Sequence, residues 1–260
     1  MIRLIFVAFS IALMGKVAMK KMEVEKKELK ELTINTNITN SDLLAIDFCG
    51  EALPLSELRV AQRYQTMIRN YDTPQFRKLM TSTEKRMRTV ESILIKYGVP
   101  ADFKYLPIIE SAMTDDAVSH KGAGGYWQLM PSTAKSLGLV VDSTRDDRKH
   151  LVKSTHAAAK YLRALHNQLG SWILVAAAYN AGPQRIQDKM LAQKKDDYFK
   201  LKLNKETTRY LYKVVAVKEW FSNPERSREW GSGEVVEKLT EFHLDQKNAL
   251  VKADTKQVAE

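Results

Sequence analysis

Residues 110–134, ESAMTDDAVSHKGAGGYWQLMPSTA, bring a glutamate, several hydroxyls, three closely spaced glycines, two aromatics and an amide into one short stretch of chain. The segments on either side read as ordinary amphipathic helices, so the chemistry of the protein converges here. Glu110 falls at the end of a helix predicted to begin near Asp102, with Phe103, Leu106 and Ile109 on its apolar side and Pro107 in or just past its first turns. Its neighbours Ile108 and Ile109 disfavour the charged carboxylate and raise its pKa, the condition a general acid needs near neutral pH. The competing reading is a solvated glutamate at a helix end. Gly122, Gly124 and Gly125 allow close backbone approach or positive φ beside Tyr126, Trp127 and Gln128, a composition suited to walling a sugar site. Their spacing matches neither a dinucleotide fingerprint nor a P-loop.

Upstream, Leu58, Ala61, Tyr64 and Ile68 recur at helical spacing until Asp72, Thr73 and Pro74 break the run. A second stripe from Phe76 through Met87, Val90 and Leu94 ends at Gly98 and Pro100. Downstream, 131–137 reads as a short helix and 141–149 as a charged surface loop. Ser154 is placed to cap a helix carrying Ala157, Tyr161, Leu165 and Leu169. The run 172–178 is apolar on every face and too short for a bilayer, so it predicts a buried central helix. Tyr179 and Asn180 at its end need hydrogen-bond partners, and Gly182 with Pro183 stops it. Glu206 opens the last strong helix, with Tyr210, Val214, Val217 and Phe221 inward, and Asn223 with Pro224 closes it. A short helix near 235–242 that then frays completes the pattern. No repeat and no strand pair emerges, so the fold class is mainly α.

A chain of 260 residues, 44% hydrophobic, holds one well-cored domain with extensions. We divide it into a signal peptide or N-terminal anchor at 1–18, a linker or flexible arm at 19–55, a catalytic domain at 56–230 and a charged tail at 231–260. The first segment rests on the basic start and the apolar run 4–14, which fits a secretory signal and implies export to the periplasm or cell envelope, with membrane association if it is retained. A net charge of +10 suits an anionic partner without a dedicated nucleic-acid arm. The single Cys49 excludes an internal disulfide framework and reads as a small buried side chain. The five histidines lack metalloprotease spacing, and neither a nucleophile elbow nor a cysteine-protease signature is present; no metal and no cofactor is expected.

Carboxylate chemistry survives this elimination. Glu110-Ser111, Ala117-Val118-Ser119, Gly122-Ala123, Trp127-Gln128, Met130-Pro131 and Thr133-Ala134 appear in that order. Ala157-Ala158, Tyr161-Leu162 and Ala178 through Gly182 follow them. This ordered set, spanning about 97–190, resembles the soluble lytic transglycosylase catalytic domain. Glu206-Thr207, Tyr210 and Asn223 through Arg226 are similar to the membrane-bound lytic murein transglycosylase D branch of that family. The resemblance implies a single goose-type lysozyme-like domain acting on peptidoglycan glycan strands, with Glu110 as general acid and then base, yielding a 1,6-anhydromuramyl end. It also implies that Ser111 and Ser119 orient the glutamate or the sugar, that Gln128 bonds an acetamido or hydroxyl group, and that Met130 lines the cleft. Tyr179 and Asn180 are expected near Glu110, with Glu206 and Tyr210 closing another side. Two alternatives stand beside it: a muramidase that uses water, and a peptidoglycan-binding scaffold without turnover.

Overall fold

Thr73 shows how the local sequence shapes the α-helices of this protein. Its hydroxyl accepts from the Phe76 N–H at 3.1 Å, and Pro74 occupies the first helical turn, where its missing N–H costs nothing. The computed structural model describes residues 44–257, with side chains described through 249. The apolar run at 4–14 and the arm as far as 43 lie outside the described residues.

Helices α1 (Leu58–Tyr71) and α2 (Pro74–Lys96) form the first pair. A 3-10 turn, Ala101–Tyr105, runs into the short α3 (Leu106–Ser111), and Pro107 sits at the start of that α-helix, where it breaks no hydrogen bond. After a long loop come α4 (Pro131–Ser136), α5 (Leu151–Leu169) and α6 (Trp172–Ala181). Helices α7 (Pro183–Gln193), α8 (Lys205–Ser222), α9 (Pro224–Ser232) and α10 (Glu234–Gln257) complete the order. The mainly α expectation therefore holds. Residues 173–178 of α6 are all buried, as an all-round apolar helix requires. Helix α8 packs against α1, α6 and α9, and α2 packs against α5, so α6 and α8 form the middle of the core.

Residues 45–237 make one compact unit, and the chain from Lys238 belongs to a second. The described part of that second unit continues α10 through Gln257, about four turns beyond the short helix expected at 235–242. Its polar composition hides the helix, because long Lys, Glu and Gln side chains favour helix without marking an apolar face.

The arm drawn to residue 55 is corrected over its last ten residues. Asp47–Phe48 (β1) and Glu51–Ala52 (β2) pair as a small antiparallel hairpin. Ile46, Phe48, Leu53 and Leu55 are buried. Lys218 Nζ holds the hairpin by donating to Asp47 Oδ1 at 3.0 Å and to Asp102 Oδ2 at 2.8 Å. The Glu51 carboxylate accepts from the Ser171 hydroxyl at 2.6 Å and from the Trp172 N–H, a negative charge at the N-terminus of α6. Cys49 sits half-buried at the turn, and burial pushes its thiol pKa up.

Three local expectations also change. His150, not Ser154, caps α5, and the Ser154 hydroxyl bonds back to the carbonyls of His150 and Leu151. Pro183 stops α6 and also starts α7, with Gly182 at φ 88° as the pivot. Within 141–149, Asp147 and Arg148 are buried, so that stretch is not wholly a surface loop.

Candidate active site

Glu110 occupies the last turn of α3, and the chain reverses immediately after it. Ala112 and Met113 take positive φ, 50° and 62°, while their N–H groups close back on the carbonyls of Ile108 and Pro107 at 3.1 and 3.0 Å. Left-handed conformations are uncommon for non-glycine residues, and here two in succession end the helix at the glutamate. The half-buried carboxylate accepts a hydrogen bond from the Tyr210 hydroxyl at 2.5 Å, delivered by α8. Burial raises the Glu110 pKa above the usual glutamate value; Tyr210 and the positive charge of Lys213 oppose the rise, and the negative charge of Glu206 adds to it. Tyr210 and Tyr179 have hydroxyl pKa values pushed well up by burial and by Glu110, so both remain O–H donors.

Tyr179, at the end of α6, donates to the Trp127 carbonyl at 2.6 Å and lies close enough to Glu110 to feel its charge. Asn180 Nδ2 donates to Glu206 Oε1 at 3.2 Å, joining the end of α6 to the start of α8 beside the carboxylate. The structure thus brings together Glu110, Tyr179, Asn180, Glu206 and Tyr210 from three helices.

The remaining expected residues take other positions. The Ser111 hydroxyl faces the carbonyls of Pro107 at 3.0 Å and Tyr126 at 2.9 Å, so it ties α3 to the glycine loop and does not contact the carboxylate. Ser119 Oγ accepts from the Ala123 N–H inside its own turn, on an exposed part of the loop. Gln128 Nε2 donates to the carbonyls of Ala117 and Gly125, both at 2.9 Å, which spends its donors on the loop. Met130 is 41% exposed at the N-terminus of α4. Trp127 is fully buried and donates through its indole N–H to Thr155 Oγ1 at 3.0 Å, so it supports the loop from inside.

Sequence reasoning missed two contributors. Lys213 follows Tyr210 by three residues on α8 and so shares its face, a relation available from helical spacing. Arg148 left no such signal. Its Nη1 donates to the carbonyls of Gly122 at 2.7 Å and Leu129 at 3.0 Å, and its Nη2 pairs with Asp146 at 2.7 Å. The glycines are needed for this clamp. A Cβ on Gly124 would lie 2.9 Å from the Arg148 guanidinium carbon, and one on Gly125 would lie 2.0 Å from the Arg148 carbonyl oxygen. Asp146 and Asp147 are in turn held ionised, with pKa values below the usual aspartate range, chiefly by bonds from Arg148 and Arg145 respectively.

A glutamate with a raised pKa in the last turn of a buried helix, bonded by a tyrosine and backed by a glycine-rich loop, is a site suited to general acid–base chemistry by a carboxyl group. Residues 91–202 match the family model of the Transglycosylase SLT domain. Over 173 residues it is 31% identical to membrane-bound lytic murein transglycosylase D of Escherichia coli (strain K12), covering 65% of this chain and 38% of that protein. Over 92 residues it is 36% identical to a putative tributyltin chloride resistance protein of Alteromonas sp. (strain M-1), covering 35% of this chain and 44% of the relative. A solved structure of an inactive mutant of the lytic transglycosylase Slt from Pseudomonas aeruginosa aligns at 22% identity and TM-score 0.45, over 65% of this chain and 28% of that one. The chain therefore spans less than half the length of each of these relatives. Glu206, Tyr210 and Lys213 lie beyond residues 91–202, the span of the family model.

Proposed function

We propose that this protein is a peptidoglycan lytic transglycosylase. It would cleave the β-1,4 bond between N-acetylmuramic acid and N-acetylglucosamine and leave a 1,6-anhydromuramyl end. The observation that carries the reading is Glu110, a carboxyl group whose burial favours the protonated form while Tyr210 is ready to stabilise the carboxylate. In the first step Glu110 gives its proton to the glycosidic oxygen as the bond from the muramyl C1 breaks and positive charge develops there. In the second, the C6 hydroxyl of the same sugar bonds to C1 and its proton returns to Glu110. No water is consumed and the glutamate is regenerated. Tyr210 stabilises the carboxylate between the two transfers, Gln128 Oε1 accepts from an acetamido N–H or hydroxyl, and Met130 lines the cleft. The Asn180–Glu206 pair forms one edge of the site and Tyr179 holds the loop carrying Trp127.

The name of the Escherichia coli relative supports a place at the envelope and a murein substrate. Export through the N-terminal apolar run is part of the same proposal. Mass spectrometry of digested purified peptidoglycan tests it directly. Anhydromuramyl ends, lighter by one water than reducing ends, are expected from the wild type and absent with Glu110→Gln at unchanged circular dichroism. Reducing ends would assign a muramidase instead, and wall binding without any cleavage would assign a scaffold.

A further inference from the structure

Helix α8 shows Glu206, Tyr210 and Lys213 to the candidate active site on one face. The adjoining face, about a quarter turn around at 100° per residue, carries Lys205, Thr208, Arg209 and Tyr212. This second face closes a cavity of about 410 Å³ against Arg63 and Thr66 of α1. Tyr212 is buried at the cavity floor, with Arg63 beside its hydroxyl, and the three basic side chains are exposed around the rim. None of Arg63, Lys205 and Arg209 joins an ion pair among the described residues, whereas Arg77, Arg88, Lys104 and Arg145 all do. Glu57 and Arg59 act on Tyr212 with opposite sign, so the cavity keeps a positive excess.

A second cavity of about the same volume shares Leu203 as a wall and carries Arg185, Lys189 and Lys202, again without ion-pair partners among the described residues. It reaches Ala181 and Thr207, which immediately follow Asn180 and Glu206 in the chain. The two cavities thus form a basic band that begins beside the candidate active site and runs outward. Like charges held this close repel one another until a ligand supplies the opposite sign, and a band matches several anionic groups along one chain better than a single small anion. The residues named in the first cavity all lie outside the span matched by the family model, so the band is not a feature of that domain alone.

We propose that this band binds a carboxylate-rich peptide, the stem carried by the lactyl groups of the same glycan strand, with Arg63, Lys205 and Arg209 pairing its outer carboxylates and Thr66, Thr208 and Tyr212 supplying hydroxyls. This rests on the transglycosylase reading, because a strand lying in the cleft is what delivers stems to the band. The test compares the full-length wild type with the Arg63→Gln/Arg209→Gln double variant on glycan strands bearing stems and on strands stripped of them by an amidase. For the wild type, KM is expected to be lower on stem-bearing strands by about five- to tenfold, a preference that shrinks as salt is raised. The double variant loses that preference through KM, with kcat unchanged and stripped strands turned over as before. Equal KM for both strands in the wild type, or equal losses on both in the variant, would overturn the site. Cosedimentation of the same strands with Glu110→Gln, with and without the two arginine substitutions, reads the band without turnover. If the wild type releases no anhydromuramyl ends, the enzymatic reading fails, yet stem-dependent retention lost with the arginines still supports the band and stem-independent retention still refutes it.

Discussion

At the scale of single residues, the groups around Glu110 set its protonation in opposite directions, and this gives two signed predictions. Tyr210 stabilises the carboxylate, so Tyr210→Phe raises the Glu110 pKa and moves the alkaline limb of kcat/KM to higher pH. Glu206 disfavours the carboxylate, so Glu206→Gln moves the same limb to lower pH. A pH–rate profile of the two variants reads both, and movement in one common direction would refute the assignment. The raised pKa also has a cost in stability. Between the ordinary glutamate value near 4.5 and the raised folded value, the native state binds more protons than the unfolded chain. The Glu110 contribution is therefore intact below that window and is lost as pH rises through it. Glu110→Gln, which keeps an acceptor for Tyr210, is expected to melt above the wild type at pH 7, with the gap closing below pH 4.5. The raised pKa of Glu110 was legible from the two isoleucines that precede it, whereas its catalytic role was suggested only by the family resemblance. Lys213 was legible only through its spacing from Tyr210.

At the scale of elements, the glycine loop keeps its shape because Arg148 fills its inside. Arg148→Met leaves two carbonyls without their donor and Asp146 without its guanidinium partner, and is expected to cost about 3 kcal/mol in urea unfolding. Gly125→Ala drives a Cβ into the Arg148 backbone, which cannot swing aside, and should cost at least as much. Gly122→Ala, also at positive φ but facing open space, should lose only about 1 kcal/mol. A buried arginine in an aperiodic charged segment carries no pattern from which its partners could be read, so 141–149 looked like surface. The restart at Pro183 was hidden for a related reason. Proline after glycine marks the end of one helix and the first turn of another with the same two residues.

At the scale of the whole molecule, the stretch 46–55 belongs to the core and not to the arm. Ile46, Phe48, Leu53 and Leu55, each worth about 1.5–3 kcal/mol on full burial, together approach the entire net stability of an ordinary domain. A chain beginning at residue 56 is expected to lose its cooperative thermal transition, while one beginning at 44 keeps it. Retention of the full melting temperature by the shorter chain would return these residues to the arm. Strands of two residues are too short for alternation to be recognised, and the contacts that hold them, Lys218 with Asp47 and Glu51 with Ser171, join positions more than a hundred residues apart.

What the sequence by itself determined is whatever depends on local chemistry. Helical periodicity, caps and the all-apolar run of α6 made the domain mainly α, and the ordered motifs from Glu110 to Gly182 pointed to the Transglycosylase SLT model that residues 91–202 match. Tertiary structure decided which atoms meet. Tyr210 reaches Glu110 across a hundred residues, Ser111 and Gln128 turn their donors to loop carbonyls, and Arg148 fills the space that Gly124 and Gly125 leave open. Those outcomes follow from satisfying buried donors, acceptors and charges in three dimensions, a condition that spacing along the chain does not encode.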